Sequence, residues 1–173
     1  AILFDNVHFE MIRLGIGLYG LWPSKETKIS AYERKISECN LMPVMKWKSI
    51  VAQVKDVEAN SCIGYGCSDF VTQASRIAII PTGYYDGYDR KLSNSGYVII
   101  RGRRAPVLGR ICMNMFIVDV TNIEGVRSED EVLLLGASED DAISAETLAS
   151  KIGTINYEVV TRINESLPRI VTA

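Results

Sequence analysis

The sequence has few residues of the types that bind metal ions. It contains a single histidine, His8, and four cysteines, none of which form a C-x-x-C pair: Cys39, Cys62, Cys67 and Cys112. Because structural zinc sites combine such ligands at short and regular spacings, we predict no metal site. We interpret the cysteines as reduced thiols, as in most cytosolic proteins.

Neither sign of charge is in excess. Lys plus Arg number 19 and Asp plus Glu number 21, which gives a net charge of -2 at pH 7. This balance supplies no electrostatic attraction to nucleic acid or to an anionic membrane surface. Neither is therefore predicted as a partner.

Long apolar runs are also missing. No stretch approaches the roughly 20 apolar residues that span a bilayer, so no membrane segment is predicted. The first residues, "AILFDNVHFEMIRLG", have neither a basic region nor a small-residue cleavage site, and a secretory signal is not expected. We predict a cytoplasmic location. The lack of an initiator methionine suggests a fragment or a processed piece.

What the sequence does contain indicates a packed structure. Hydrophobic residues make up 47% of the chain, enough for a sizeable core. Residues 11–21, "MIRLGIGLYGL", predict a buried strand that ends in glycines, in which Arg13 would need a partner or a ligand. The charged stretch after it predicts a connector with one short helix and a domain boundary near residue 40.

Beyond residue 40 the pattern is that of short strands separated by turns. "SRIAIIPTG", "GYVIIRG", "APVLGRICMNMFIVDV" and "DEVLLLG" are β-like, and each is closed by Gly, Pro or Asp. Their spacing of about a dozen residues predicts a closed sheet or barrel. One helix is predicted, from an N-cap at Ser144 to a stop at Gly153. "TINYEVV" after it predicts another strand.

Two segments are rich in residues that could form a binding site. In "RLGIGLYG", glycines after a strand let backbone N–H groups approach an anion such as a cofactor phosphate, although plain turns have the same composition. The loop "IPTGYYDGYDRKLSN" holds three tyrosines, two aspartates and an arginine. It is either a site or a hairpin end that turns at Asp86-Gly87.

Three single residues are also candidates. Asn114 interrupts an apolar strand, which indicates a bulge or a site. Tyr157 follows the predicted helix, where its hydroxyl either reaches a pocket or bonds to the backbone. In "SCIGYGCSDF", Tyr65 lies between two glycines, which leave its phenol without side-chain cover.

Together these segments resemble the C-terminal part of alanine racemase, a fold-type III enzyme that uses pyridoxal 5′-phosphate (PLP). The matching pieces follow the family's order and cover nearly the whole chain: "RLGIGLYG", "LMPVMKWKS", "IGYG", "IPTGYYDGYDRKLSN", "RAPVLGRICMNM", "ISAETLASKIGTINYE" and "RINESLPRI". The resemblance implies a mainly β, barrel-like C-terminal domain over residues 41–173. Residues 1–40 would be the last strand and helix region of a (β/α)₈ barrel plus a connector.

The resemblance also implies roles at the substrate. Racemisation needs a proton removed from one face of Cα and one returned to the other. Tyr65 would be the base on one face, acting in the active site of the partner subunit, opposite the PLP lysine. Met113, which also corresponds to a residue of the partner subunit, would offer its backbone N–H to the substrate carboxylate. Tyr84 would line the small entrance that restricts substrate size.

The cofactor contacts implied by the resemblance come from four residues. Arg13 would hydrogen-bond the pyridine nitrogen of PLP. The backbone N–H groups of Gly15 and Ile16 and the hydroxyl of Tyr157 would hold its phosphate. The PLP-binding lysine itself has no counterpart in this chain.

The function implied is that of an isomerase that interconverts L- and D-alanine for the peptidoglycan of the cell wall. It would work in the cytoplasm as a head-to-tail homodimer, and this chain would be inactive without the barrel. A serine racemase on the same scaffold and a stand-alone, non-catalytic β-barrel module are the alternatives. A related PLP decarboxylase is disfavoured by Tyr65 and Arg13.

Overall fold

The computed structural model consists of two units, Ala1–Met45 and Lys46–Ala173. It describes residues 2–34, 36 and 40–172. Cys39, one of the four predicted thiols, lies outside the described residues. The assignment of residues before position 41 to the end of a barrel stays a prediction.

The N-terminal unit contains one α-helix and two 3-10 turns in its described part. Helix α1, Lys25–Glu33, begins after Ser24, whose hydroxyl accepts a hydrogen bond from the N–H of Thr27 at 3.1 Å. This is the short helix that the charged connector predicts. The 3-10 turns are Asp5–Val7 and Ile16–Tyr19.

The strand predicted over residues 11–21 is wrong. Residues 11–15 belong to no regular element, and Ile16–Tyr19 form a 3-10 turn. A strand satisfies its backbone hydrogen bonds only beside another strand, and the described residues of this unit contain none. Arg13 is accordingly exposed rather than buried.

The described residues of the C-terminal unit form ten strands, two α-helices and one 3-10 turn, Arg90–Leu92, which confirms the predicted mainly β class. The strands are β1 Trp47–Ile50, β2 Gln53–Val57, β3 Cys62–Ile63, β4 Asp69–Phe70, β5 Ser75–Ile80, β6 Tyr97–Ile100, β7 Arg103–Leu108, β8 Phe116–Asp119, β9 Glu131–Ala137 and β10 Ala142–Ile143. The helices are α2 Ala145–Ile152 and α3 Asn156–Thr161. Short runs rich in Val and Ile form most of the strands, because branched side chains fit a pleated surface.

Eight of the strands join in one antiparallel sheet that curls on itself. Its order is β1-β9-β6-β7-β8-β5-β2, and β10 also pairs with β9. Strands β1 and β2 lie at opposite ends of this order, yet only Val51 and Ala52 separate them along the chain. Val51 donates its N–H to Asp130 at 2.9 Å, and Ala52 donates to Ile79 at 2.8 Å. The two ends of the sheet are therefore brought together, as the predicted barrel-like form requires.

Alternation along the strands separates the core from the surface. In β7, Ala105 and Val107 are buried, whereas Arg104 and Pro106 are exposed. The largest side chains that are fully buried are Tyr88, Phe116, Ile80, Leu92, Ile100, Ile111, Leu134 and Ile143. Burial of this apolar surface is the main favourable term for the unit.

Helix α2 agrees with the prediction. Ser144 accepts the N–H of Thr147 at 3.1 Å, and Gly153 ends the helix with a φ of 72°. No helix in the described part of the chain has the length and apolar character to cross a lipid bilayer.

Two other predictions for this unit are wrong. The segment "TINYEVV" forms helix α3 instead of a strand, and its buried residues Asn156, Val159 and Val160 recur at three- and four-residue steps, the period of a helix. The apolar run around Asn114 is two strands, β7 and β8, rather than one. Residues 109–115 between them form the β7–β8 loop, which contains Asn114.

Candidate active site

Tyr65 lies on the turn of the two-stranded β3–β4 ribbon. Gly64 and Gly66 flank it with φ of 79° and 72°, values that residues with a Cβ atom rarely adopt. The G-Y-G sequence thus allows a tight turn around a single large side chain. Tyr65 is 74% exposed, so the turn presents the phenol with little cover from its own domain.

Cys62 and Cys67 are joined by a disulfide bond, with their Cα atoms 5.1 Å apart. The prediction of reduced thiols is therefore wrong for this pair. Both residues stand beside the Tyr65 turn, where the ribbon brings the chain within the distance that a disulfide needs. The bond closes the turn into a ring. Cys112 keeps a free thiol, and the described residues contain no group of three or more His, Cys, Asp or Glu side chains placed to hold a metal ion.

The β3–β4 ribbon rests on the start of the β7–β8 loop. Gly109 donates its N–H to the carboxylate of Asp69 at 3.3 Å. A Cβ atom on Gly109 would lie 3.3 Å from the carbonyl oxygen of Ile63, so the two backbones are in direct contact. Because the same loop carries Met113, the position of the ribbon is tied to that of Met113.

Two backbone hydrogen bonds place Tyr84 beside Met113. The N–H of Tyr84 donates to the carbonyl oxygen of Cys112 at 3.1 Å, and that of Tyr85 donates to Met113 at 2.9 Å. Gly83 permits this approach, since a Cβ atom there would overlap the carbonyl oxygens of Cys112 and Met113. The structure thus brings together the two residues predicted to meet the substrate.

The backbone N–H of Met113 lies in an accessible place. Its N–H donates to no acceptor among the residues that the structure describes. The turn around it is closed by Cys112, which donates its N–H to Met115 at 2.9 Å. Met113 and Tyr84 are 54% and 47% exposed. An N–H in this setting is available to a carboxylate oxygen of a ligand.

The tyrosines of the loop after β5 differ in environment. Tyr88 is 1% exposed; its ring stacks on Phe116 at 4.6 Å and meets Trp47 edge-on at 6.0 Å. Burial raises the pKa of Tyr88 above its ordinary value, so the hydroxyl stays protonated and donates to Tyr97 at 3.4 Å. Tyr88 therefore anchors this loop in the core, whereas the two tyrosines before it are exposed.

Tyr157 lies in the first turn of α3 and is half-buried. No hydrogen bond joins its hydroxyl to another residue in the described part of the chain. The segment after α3 reaches the Tyr84 loop through Asn164, which donates its N–H to Asp86 at 3.0 Å and its Nδ2 to Tyr85 at 3.0 Å. The sequence did not single out Asn164, because an asparagine after a helix has the appearance of an ordinary turn residue.

Gly15 and Ile16 begin the 3-10 turn of the N-terminal unit, and the exposed Arg13 precedes them. A Cβ atom on Gly15 would meet nothing within 4 Å. The first N–H groups of such a turn have no acceptor inside it, and those of Ile16 and Gly17 have none elsewhere in the described residues. A row of open donors of this kind suits an anion such as phosphate.

Comparison with known proteins relates this chain to a family. The family model described as alanine racemase, C-terminal domain, matches residues 44–171. An alanine racemase of Leptospira interrogans is 45% identical over 171 residues, which cover 99% of this chain and 44% of that protein. One of Syntrophobacter fumaroxidans is 49% identical over 162 residues, with coverage of 93% and 41%. The chain thus spans less than half the length of these relatives.

Solved structures give the same result. The alanine racemase of Streptomyces lavendulae aligns with a TM-score of 0.85 at 32% identity, over 99% of this chain and 43% of that one. The enzyme of Bacillus anthracis with bound L-Ala-P aligns with a TM-score of 0.82 at 33% identity, over 93% and 39%.

Proposed function

We propose that this chain, which belongs to the alanine racemase family as its C-terminal domain, is part of a PLP-dependent enzyme that interconverts L- and D-alanine. The observation that carries the proposal is the exposed Tyr65 on a ribbon that rests on the β7–β8 loop, where the Met113 N–H has no acceptor among the described residues. The D-alanine formed would serve peptidoglycan synthesis in the cytoplasm.

Tyr65 is the proposed base on one face of the substrate. A phenol has a pKa of about 10 and is a weak base at neutral pH, so it needs a positive charge or hydrogen-bond donors around it. The described residues of its own domain leave Tyr65 74% exposed. Those groups would therefore come from the active site of a second subunit, which makes a head-to-tail homodimer the working form.

The substrate carboxylate is proposed to bind at Met113. An N–H held in a fixed backbone turn gives a directed hydrogen bond to a carboxylate oxygen. Tyr84, whose backbone is joined to the same turn, lies beside it. Its ring would leave room for a methyl side chain and would hinder larger ones. This arrangement favours alanine over bulkier amino acids.

The residues that would hold PLP fit it in the kind of donor they offer. In the N-terminal unit, the N–H groups of Gly15 and Ile16, which have no acceptor among the described residues, suit a phosphate, and so by itself does the Tyr157 hydroxyl, which has no partner there either. Arg13 carries only donors and stays charged, so it would hold the pyridine nitrogen in the unprotonated form. When bound, PLP withdraws electrons from Cα and makes its proton more acidic. The lysine that binds it would come from the rest of the longer protein.

The test is made on the longer protein that the proposal implies. We expect purified protein to bind PLP, seen by its visible absorbance, and to form D-alanine from L-alanine in an assay coupled to D-amino-acid oxidase. Serine in place of alanine distinguishes the two racemases. A protein that binds PLP but racemises neither amino acid would contradict the proposal.

A further inference from the structure

The turn that carries Tyr84 is closed by Asp86. The carboxylate of Asp86 accepts the N–H of Gly83 at 2.8 Å, and the N–H of Asp86 donates back to the Gly83 carbonyl at 3.1 Å. The same carbonyl accepts the N–H of Tyr88 at 3.1 Å. Since Tyr88 is buried in the core, the shape and the place of this turn are both fixed.

Asn164 holds the turn from another side. Its N–H donates to the carbonyl of Asp86 at 3.0 Å, and its Nδ2 donates to the carbonyl of Tyr85 at 3.0 Å. Its side-chain oxygen accepts the N–H of Ser166 at 2.9 Å. Asn164 is half-buried, and its side chain is fixed at both ends. It joins the turn to the segment that follows α3.

A continuous line of hydrogen bonds results from these contacts. Asn164 donates to the carbonyl of Tyr85, and Tyr85 donates its own N–H to the carbonyl of Met113 at 2.9 Å. Tyr84 makes the parallel bond to Cys112 at 3.1 Å. The turn is thus held between Asn164 and the β7–β8 loop, with Asp86 fixing its shape.

We infer that Asp86 and Asn164 are positioning residues that fix the place of Tyr84 relative to the N–H of Met113. This inference rests on the proposed function, which assigns the entrance to Tyr84 and the substrate carboxylate to Met113. Neither positioning residue touches the substrate. They act through the backbone, and a displacement of about 1 Å in such a group can lower a rate by about 10²-fold.

The test compares Asp86→Ala with Asp86→Asn in the full-length enzyme. Asparagine keeps an oxygen that can accept the N–H of Gly83, whereas alanine removes it. We expect Asp86→Ala to raise KM for alanine about 10-fold with a smaller change in kcat, because a binding contact is weakened. The preference for alanine over serine should also fall. Asp86→Asn should keep both KM and the preference for alanine over serine close to the wild-type values. Glu165→Ala, an exposed change beside Asn164, is the control and should alter neither.

Asn164→Asp is the second variant. It keeps the size of the side chain and the acceptor for Ser166, but it loses the donor to Tyr85. We expect the same rise in KM and the same loss of preference. Equal loss in Asp86→Asn and Asp86→Ala would overturn the inference. So would a higher KM with an unchanged alanine-to-serine preference in both Asp86→Ala and Asn164→Asp.

Amide hydrogen exchange on this chain separates the inference from the proposed function. In Asp86→Ala and Asn164→Asp, the N–H groups of Tyr84 and Tyr85 should exchange about 10-fold faster, while Leu134 in the core keeps its rate. Faster exchange in a protein whose wild type does not racemise alanine would support the positioning role and reject the function. Unchanged exchange in both variants would overturn the positioning role even if racemisation is observed.

Discussion

At Tyr65 the hydroxyl can be removed without disturbing the fold. The residue is 74% exposed, so Tyr65→Phe should change the free energy of unfolding by no more than about 0.5 kcal/mol. Racemisation by the full-length enzyme should fall by about 10²–10⁴-fold, the usual effect of losing a general base. Thermal unfolding and the coupled D-amino-acid oxidase assay measure the two quantities.

The loss of activity in Tyr65→Phe should affect proton exchange for one enantiomer of alanine only. A base on the opposite face of Cα still exchanges the proton of the other enantiomer. Solvent deuterium should therefore enter one form of alanine much faster than its mirror image, as measured by NMR. Tyr85→Phe is the matched control, because Tyr85 is also exposed and has no proposed chemical role. Equal slowing for both enantiomers would rule out the two-base role.

Tyr88 sets an alkaline limit to the stability of its unit. Burial raises its pKa above the ordinary value of about 10, so the unfolded chain releases this proton at a lower pH than the folded one. Its contribution to the free energy of unfolding is full below about pH 10 and is lost as the pH rises further. In urea titrations between about pH 10 and 12, Tyr88→Phe should show a shallower decline than the wild type. Parallel declines would contradict this assignment.

The sequence places the three tyrosines in one loop but does not indicate which of them is buried. Tyr84 was assigned by its place in the family motif. Tyr88 is buried because Trp47 and Phe116, both distant in sequence, contact its ring. The same limit applies to Asn164, whose role depends on a turn about 80 residues earlier in the chain. Contacts between distant segments cannot be read from local spacing.

Helices α1 and α2 both begin after a serine N-cap, but they differ in how many residues they bury. Ser24 and Ser144 each accept the N–H three residues later at 3.1 Å. Helix α2 buries four residues, whereas α1 buries Ala31 alone. Ser144→Ala should lower the free energy of unfolding of the C-terminal unit by about 1 kcal/mol. Ser24→Ala is the matched control and should leave that transition unchanged. A shift of the same size in both would contradict this prediction.

The β3–β4 ribbon owes part of its order to the bond between Cys62 and Cys67. Closing a ring this small stabilises the folded chain by about 2 kcal/mol in the chain-entropy model. After reduction by dithiothreitol, two more thiols should react with a maleimide, and amides beside Tyr65 should exchange faster. Cys112→Ser should show the same gain of two thiols. An equal thiol count before and after reduction would show that the bond is absent.

Most elements of the C-terminal unit could be predicted, and the exceptions have a common cause. Strands such as β5 and β9 were recognised because their apolar runs end at turn residues. Residues 11–21 have a similar composition, but the described part of their unit offers no neighbouring strand. The run at residues 155–160 packs against α2 and becomes α3. In both places tertiary partners decide the structure, not intrinsic propensity.

At the scale of the whole molecule, the C-terminal unit has its own sheet, core and helices. We expect residues 46–173 alone to fold cooperatively, with a single urea transition seen both by near-UV and by far-UV circular dichroism. A peptide of residues 1–45 is the control and should show none, because isolated helices shorter than about 12 residues are marginal in water. Lack of a cooperative transition in residues 46–173 would contradict the independence of this unit.

The curled sheet depends on two residues for its closure. Val51 and Ala52 connect β1 and β2 and continue the pairing of these strands: Val51 donates its N–H to Asp130, just before β9, and Ala52 donates its N–H to Ile79 of β5. In the described residues β1 and β2 do not pair with each other, so a cut between them would remove the covalent tie that holds the two end strands together. Unpaired strand edges invite pairing with other chains. The short link between β1 and β2 therefore keeps these two edges close together, which leaves less room for a strand of another chain to pair with either of them.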